Sequence, residues 1–268
     1  MPTLSLSHGV DLAYQIDDFT DPWTTPETVV CLHGLAEGGI AWRSWVPTLG
    51  RHYRVVRPDQ RGFAASTPMP EDFDWSLDVF IADLVKLVDT LELPRFHLVS
   101  AKFGGTVAMR FAAQYPERVS SLSVISSPVS LRKSLGDQIP WWREVVAKEG
   151  VRKWANMTMQ GRLGRNATPA ESAWWTDLMG SAPASTVIGI MRNLVEVDVT
   201  ADLKAIRCPT LIATTTGSGL GSVESVKEWQ RQIPDSKLVV LDSDSYHVAA
   251  AEPDECAAIV LRFLQETN

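Results

Sequence analysis

The stretch Phe96-His97-Leu98-Val99-Ser100-Ala101-Lys102-Phe103-Gly104-Gly105-Thr106-Val107-Ala108 constrains this chain more than any other. It begins as an apolar run of strand length, turns a corner at one residue, and continues as a helix that opens with small residues. Small residues flank such a corner because the backbone is strained there and the helix packs close to the strand it follows. Ser100 and Gly104 occupy the flanking positions, and Lys102 stands at the apex.

The chain on either side repeats the alternation of strand and helix. Residues Thr3 to Ile16 alternate apolar and polar, as in an antiparallel hairpin turning near His8-Gly9. Thr28 to Leu32 is a short apolar run of the kind covered on both faces. It ends in His33-Gly34-Leu35-Ala36-Glu37-Gly38-Gly39, where glycines allow backbone N–H groups to face a site. Helical spacing follows at Trp42, Trp45, Val46 and Leu49. A strand at Tyr53 to Arg57 then runs into Pro58-Asp59-Gln60-Arg61-Gly62. Leu77, Phe80, Ile81, Leu84, Leu87 and Val88 form one stripe of a helix from Ser76 to Leu91. After the Lys102 strand and helix comes a strand at Leu122 to Ser126. From Leu131 to about Val199 the pattern is helical throughout and holds five of the 10 tryptophans. Strands return at Pro209 to Thr214 and Lys237 to Leu241, with helices at Ser222 to Gln232 and from about Pro253 to Leu264. This order predicts an α/β protein with a mostly parallel, doubly wound sheet. Residues 1–130 and 200–268 would form the core, and 131–199 a helical cap inserted between core strands.

Composition removes several classes of function. A net charge of −7 disfavours nucleic acid and anionic membrane surfaces as partners. No apolar run approaches the roughly 20 residues that cross a bilayer. Met1-Pro2-Thr3-Leu4-Ser5 lacks the basic start and apolar core of a secretory signal. The three cysteines, Cys31, Cys208 and Cys256, are far apart and lie in or beside apolar stretches, so free buried thiols and a cytoplasmic setting are expected. Gly104-Gly105 is not a dinucleotide loop, and no cluster of His, Cys and Asp has metal-ligand spacing. The expectation is an enzyme that uses no cofactor and takes a small-molecule partner; composition leaves the oligomeric state open.

The ordered set His33-Gly34, Asp59-Gln60-Arg61-Gly62-Phe63, Ser-x-Lys-x-Gly-Gly, helical insert, Cys208-Pro209-Thr210-Leu211 and His247…Glu252-Pro253 resembles the α/β-hydrolase superfamily over nearly the whole chain. It looks most similar to the small lidded members, which include lactonases, C–C bond hydrolases and haloperoxidase-like enzymes. The resemblance implies the α/β-hydrolase fold, a catalytic histidine at His247, and oxyanion N–H donors at Leu35 and Phe103. It also puts the family nucleophile at Lys102, where Ser, Cys or Asp normally stands. The usual triad acid would fall in Thr214 to Gly221, and the alternative one in Ser126 to Val129; neither stretch holds a carboxylate. Asp244 or a carboxylate of Glu196-Val197-Asp198 is left as a candidate to orient His247. Ser127, Ser218 and Trp142 are taken as substrate-binding positions in the same cleft.

A lysine at the corner changes the chemistry. Acylating it would give an amide, which hydrolyses far more slowly than the ester formed on serine, so ordinary esterase turnover is not expected. A desolvated lysine can instead lose its proton and form a Schiff base with a ketone or aldehyde. Kept charged, it can hold a carboxylate or enolate while His247 moves a proton. His247 could also activate water against a lactone or β-diketone that Lys102 polarises. All three roles need a carbonyl substrate. The rival reading is a non-catalytic relative that binds a small ligand. Within the site, His33 and the Asp59–Gly62 turn are read as scaffold, with Arg61 paired locally. The pairs Trp141-Trp142 and Trp174-Trp175 are read as packing, and Ser100 as pointing away from the cleft.

Overall fold

A computed structural model of the chain describes residues 1–193 and 195–267. Eight strands form one sheet: β1 (Thr3–Ser7), β2 (Val10–Asp17), β3 (Thr28–Leu32), β4 (Arg54–Pro58), β5 (Phe96–Ala101), β6 (Val119–Ile125), β7 (Thr210–Thr215) and β8 (Ser236–Leu241). Their order across the sheet is β1-β2-β4-β3-β5-β6-β7-β8. Only β1 with β2 and β2 with β4 pair antiparallel; every other pairing is parallel. The inner strands β3, β5 and β7 are buried at every residue, so they read as unbroken apolar runs rather than alternations.

Eleven α-helices are present among the described residues. In chain order they are α1 (Val46–Leu49), α2 (Leu77–Thr90), α3 (Phe103–Gln114), α4 (Leu131–Leu135), α5 (Ile139–Glu149), α6 (Val151–Leu163), α7 (Pro169–Gly180), α8 (Ala184–Asn193), α9 (Val223–Gln230), α10 (Val248–Ala251) and α11 (Pro253–Glu266). Alternate residues of a strand face opposite sides of a sheet, and the core divides accordingly. Val29, Cys31, Val99, Ala101 and Leu211 pack with Trp45, Leu49, Val260 and Phe263 of α1 and α11. Val30, Leu32, Leu98 and Val124 pack with α2, α3 and the helical insertion on the other face. The three cysteines are free and buried, and burial pushes the Cys31 and Cys256 thiols up to about 12.

Helices α4 to α8 all lie between β6 and β7 in sequence. The end of α6 is fastened to the loop before α10 by main-chain bonds. Tyr246 N donates to Gly161 O and His247 N to Arg162 O, both at 3.0 Å. The Ser245 hydroxyl donates to the same Arg162 carbonyl. Asp244 accepts from Arg165 N at 3.1 Å and from its Nε at 2.9 Å.

Arg61 does not pair locally. Its guanidinium reaches Asp83 on α2 with two parallel bonds of 2.8 and 2.6 Å, in a buried setting where a fork matches a carboxylate. The turn after β4 is thereby pinned to the helix that covers the sheet.

Helix α3 approaches the backbone at the end of β3 closely at the corner. A Cβ added at Gly104 would sit 2.5 Å from Leu32 O and 2.6 Å from His33 O, both backbone atoms that cannot swing aside. Gly104→Ala should therefore lower unfolding free energy by about 2–3 kcal/mol, an overpacking cost read from urea denaturation. A change within 0.5 kcal/mol would show that the helix can ride outward without loss.

Candidate active site

Lys102 joins β5 to α3 with φ 59° and ψ −128°, a conformation that non-glycine residues rarely adopt. Its N–H donates to Ile125 O at 3.2 Å and its carbonyl accepts from Gly105 N at 3.0 Å, so sheet and helix both hold the strained apex. Gly34 lies directly beneath, where an added Cβ would come within 3.0 Å of the Lys102 Cβ. The side chain leads into a narrow apolar cavity of about 70 Å³ between the sheet and the insertion. Leu35, Phe103, Trp142, Trp154, Arg162 and Tyr246 are among the lining residues.

The amine is buried there. Nζ donates to Tyr246 O at 3.3 Å and lies 3.8 Å from the centroid of the Tyr246 ring. Burial drives its pKa well below the ordinary lysine value; the charge of Arg162 adds to that, and Glu37 opposes it. Both influences that lower it favour a neutral amine.

His247 and Glu37 complete a cluster that spacing alone does not reveal. Glu37 comes from the loop after β3, and its Oε1 lies 3.0 Å from His247 Nε2, with both side chains almost fully buried. The approach is out of line for a good hydrogen bond, so neither atom has an aligned partner, and His247 Nδ1 has none either. The other carboxylate oxygen accepts from Gly34 N at 3.0 Å. Burial raises the Glu37 carboxyl, but His247, His33 and Arg162 outweigh it and bring it down to about 2. Burial lowers the His247 pKa against the pull of Glu37, and Lys102 and Arg162 lower it further. Its ring packs edge-on against Trp175, centroids 5.3 Å apart.

The candidates named from sequence separate in the structure. Lys102, Leu35, Phe103 and Trp142 share the cavity. His247 is not on its wall; Tyr246, the residue before it, is. Ser127 and Ser218 do not belong to this cavity. They line a second cleft against α9 with Trp229 and Gln232, because the strand ends that carry them turn away from the corner. Ser100 Oγ donates to Ser123 O at 2.9 Å inside the sheet, away from the amine. None of the carboxylates considered for His247 reaches it: Asp244 pairs with Arg165, Glu196 with Arg132 and Asp198 with Lys133. The acid that does so, Glu37, sits in a glycine-rich loop where backbone N–H groups were the expected feature. A carboxylate among glycines that face a site was the one available signal.

His33 is held by its own loop: Nδ1 lies 2.7 Å from Gly34 O and Nε2 accepts from Gln60 N at 2.9 Å. That pattern places the proton on Nδ1 and leaves a neutral ring that braces the Glu37 loop.

A carboxyl whose folded pKa lies below its unfolded value adds stability that is complete above about pH 4.5 and is lost as the pH falls toward 2. For Glu37 this amounts to something on the order of 3 kcal/mol. Acid titration of unfolding free energy should lose that increment in the wild type, and Glu37→Gln should remove it at neutral pH and flatten the acid limb. Parallel curves for the two proteins would show that the Glu37 charge is not stabilised by the fold.

Comparison with known proteins gives these features a context. The chain is 37% identical to the 2-hydroxy-6-oxo-2,4-heptadienoate hydrolase of Pseudomonas putida, but over 102 residues, so the match spans 37% of each protein. A putative carbamate hydrolase of Caulobacter sp. matches at 23% over 91% of this chain and 92% of its own length. The crystal structure of an enol-lactonase from Burkholderia xenovorans superposes with a TM-score of 0.88 at 20% identity, covering 98% of this chain and 100% of that one. Such a superposition speaks to fold. A family model described as the alpha/beta hydrolase fold matches residues 27–254, and the chain belongs to that family.

Proposed function

We propose that this α/β-hydrolase is a cofactor-independent enzyme that breaks a C–C bond, or the activated C–O bond of a lactone, in a small carbonyl compound. Lys102 acts as a nucleophilic amine and His247 with Glu37 carries protons. The observation that carries the reading is a buried amine, its pKa lowered by burial, held by a strained corner at the end of an apolar cavity. The named activities of a C–C hydrolase and an enol-lactonase among its relatives support a carbonyl substrate.

The chemistry follows from the groups present. The Lys102 lone pair adds to a substrate carbonyl carbon, and the π electrons of that bond move to oxygen. After protonation the oxygen leaves as water, and an iminium remains on Nζ. Water, giving a proton toward His247, adds to a second carbonyl two carbons away. The bond from the hydrated carbon to the carbon between the two centres then breaks, leaving a carboxylic acid. Its electron pair forms the enamine double bond, and the iminium π pair returns to nitrogen. Hydrolysis returns the amine. The helical insertion acts as a lid whose Trp and Met residues keep bulk water from the iminium.

A second reading has its own support. Nζ sits over the Tyr246 ring at cation–π distance with a carbonyl acceptor beside it, a setting that also suits an ammonium. Lys102 would then polarise a lactone carbonyl while His247 delivers water.

Borohydride reduction during turnover separates the two. The imine route leaves a substrate-derived mass increment on Lys102 by peptide mapping; turnover without any adduct eliminates that route. Under either reading the Lys102→Met variant should lose at least about 10³-fold in kcat/KM. In the imine route, kcat/KM should also rise with pH along a limb centred well below the ordinary lysine pKa, since only the neutral amine attacks.

A further inference from the structure

Arg162 is a charged group on the cavity wall whose outer donors, the two Nη groups, the described residues leave unused. It lies in the last turn of α6 and is 5% exposed. Its Nε donates to Thr158 Oγ1 at 3.1 Å. Its Cζ lies 5.0 Å from the Trp154 ring and 5.5 Å from the Tyr246 ring. Among the described residues neither Nη atom has a hydrogen-bond acceptor, and no carboxylate lies within ion-pair distance of the guanidinium. The contrast with the other buried arginines is plain: Arg57 is forked onto Asp17 and Gln15, and Arg61 onto Asp83. A guanidinium is strongly favoured to satisfy its outer N–H groups, and in an apolar chamber an oxygen pair supplied by a ligand does this best.

A purely structural role, balancing the buried charge of Glu37, accounts for the sign of Arg162 but not for its placement. One Glu37 oxygen accepts from Gly34 N and the other lies against His247 Nε2, and Glu37 acts on Arg162 only through space.

We infer that the cavity accepts a substrate bearing a free carboxylate, and that Arg162 receives it through its two Nη groups. The inference rests on the proposed function only for the carbonyl end of that substrate. Lys102 and Arg162 flank the same Tyr246 ring, so amine and guanidinium are no further apart than their two distances to its centroid combined. That span suits a short oxo acid whose carboxylate and carbonyl are separated by a few carbons. The ion pair also selects the chemistry. Loss of carbon dioxide would draw negative charge out of the carboxylate and away from Arg162, so the anchored group is retained and the bond that breaks lies elsewhere in the chain of the substrate. Because the Arg162 carbonyl holds His247 N and Ser245 Oγ, one residue joins the anion site to the catalytic loop.

The test is calorimetric and needs no turnover. The probes are 5-oxohexanoate and 4-oxopentanoate, each compared with its methyl ester, titrated into the full-length protein and its Arg162→Gln and Arg162→Lys variants. Wild type should bind each acid at least about ten-fold more tightly than its ester, the worth of a charge-assisted pair in a dry site. Arg162→Gln should bring the acid down to the affinity of the ester, and Arg162→Lys should restore part of the preference. Equal binding of acid and ester by wild type, or binding of neither, overturns the inference without reliance on any variant. An equal loss for acid and ester in Arg162→Gln, with far-UV circular dichroism unchanged, overturns it as well. A preserved acid preference alongside failed borohydride trapping would sink the imine route and leave the anion site standing.

Discussion

An amine cannot be turned away from this cavity, and the surrounding structure is arranged about that constraint. The Lys102 backbone is strained, held by β6 on one side and by the first turn of α3 on the other, with glycine required below it and beside it. A lysine on a flexible surface would swing its charge into water. Here the geometry of the corner forbids it, and transfer of an uncompensated ammonium into apolar surroundings is costly enough that the group either sheds its proton or finds a partner. Tyr246 offers a ring face and a carbonyl, Glu37 offers charge through space, and Arg162 works in the opposite sense. Burial and Arg162 together lower the pKa of the amine against the pull of Glu37.

The site keeps the scaffold of a hydrolase and redistributes its charges. His247 follows the last strand, and the turns after β6 and β7 hold no carboxylate. The acid that meets it, Glu37, comes from the loop after β3 and lies 3.0 Å from Nε2. Nδ1 is left without a partner. Fastening the end of α6 onto residues 244–247 fixes Tyr246 and His247 relative to the insertion, so the wall of the cavity and the catalytic loop move as one piece.

Legibility in the sequence tracked the range of the interactions. Strands and helices were readable because burial imposes period 2, period 3.6 or an unbroken apolar run on consecutive residues, and β3, β5, β7 and α2 show those signatures within a residue or two of their observed limits. The corner was readable because strain and close packing demand small residues at fixed offsets. Ser127 and Ser218 were misplaced because chain order locates a strand end but not the direction in which the following loop leaves. Arg61 was assigned a local partner because nothing in a short polar turn points to a carboxylate on a helix 22 residues later.

What the sequence determined by itself was the sheet, the corner and the lysine at its apex, since each follows from neighbours along the chain. Only the tertiary structure decided which acid meets His247, which cation shares the cavity with Lys102, and which cleft each candidate side chain lines. Glu37, Arg162 and Tyr246 lie on separate segments that carry no mark of one another. Their charges acquire meaning through distance and shared burial, and those are set only when the sheet and the insertion close on the same space.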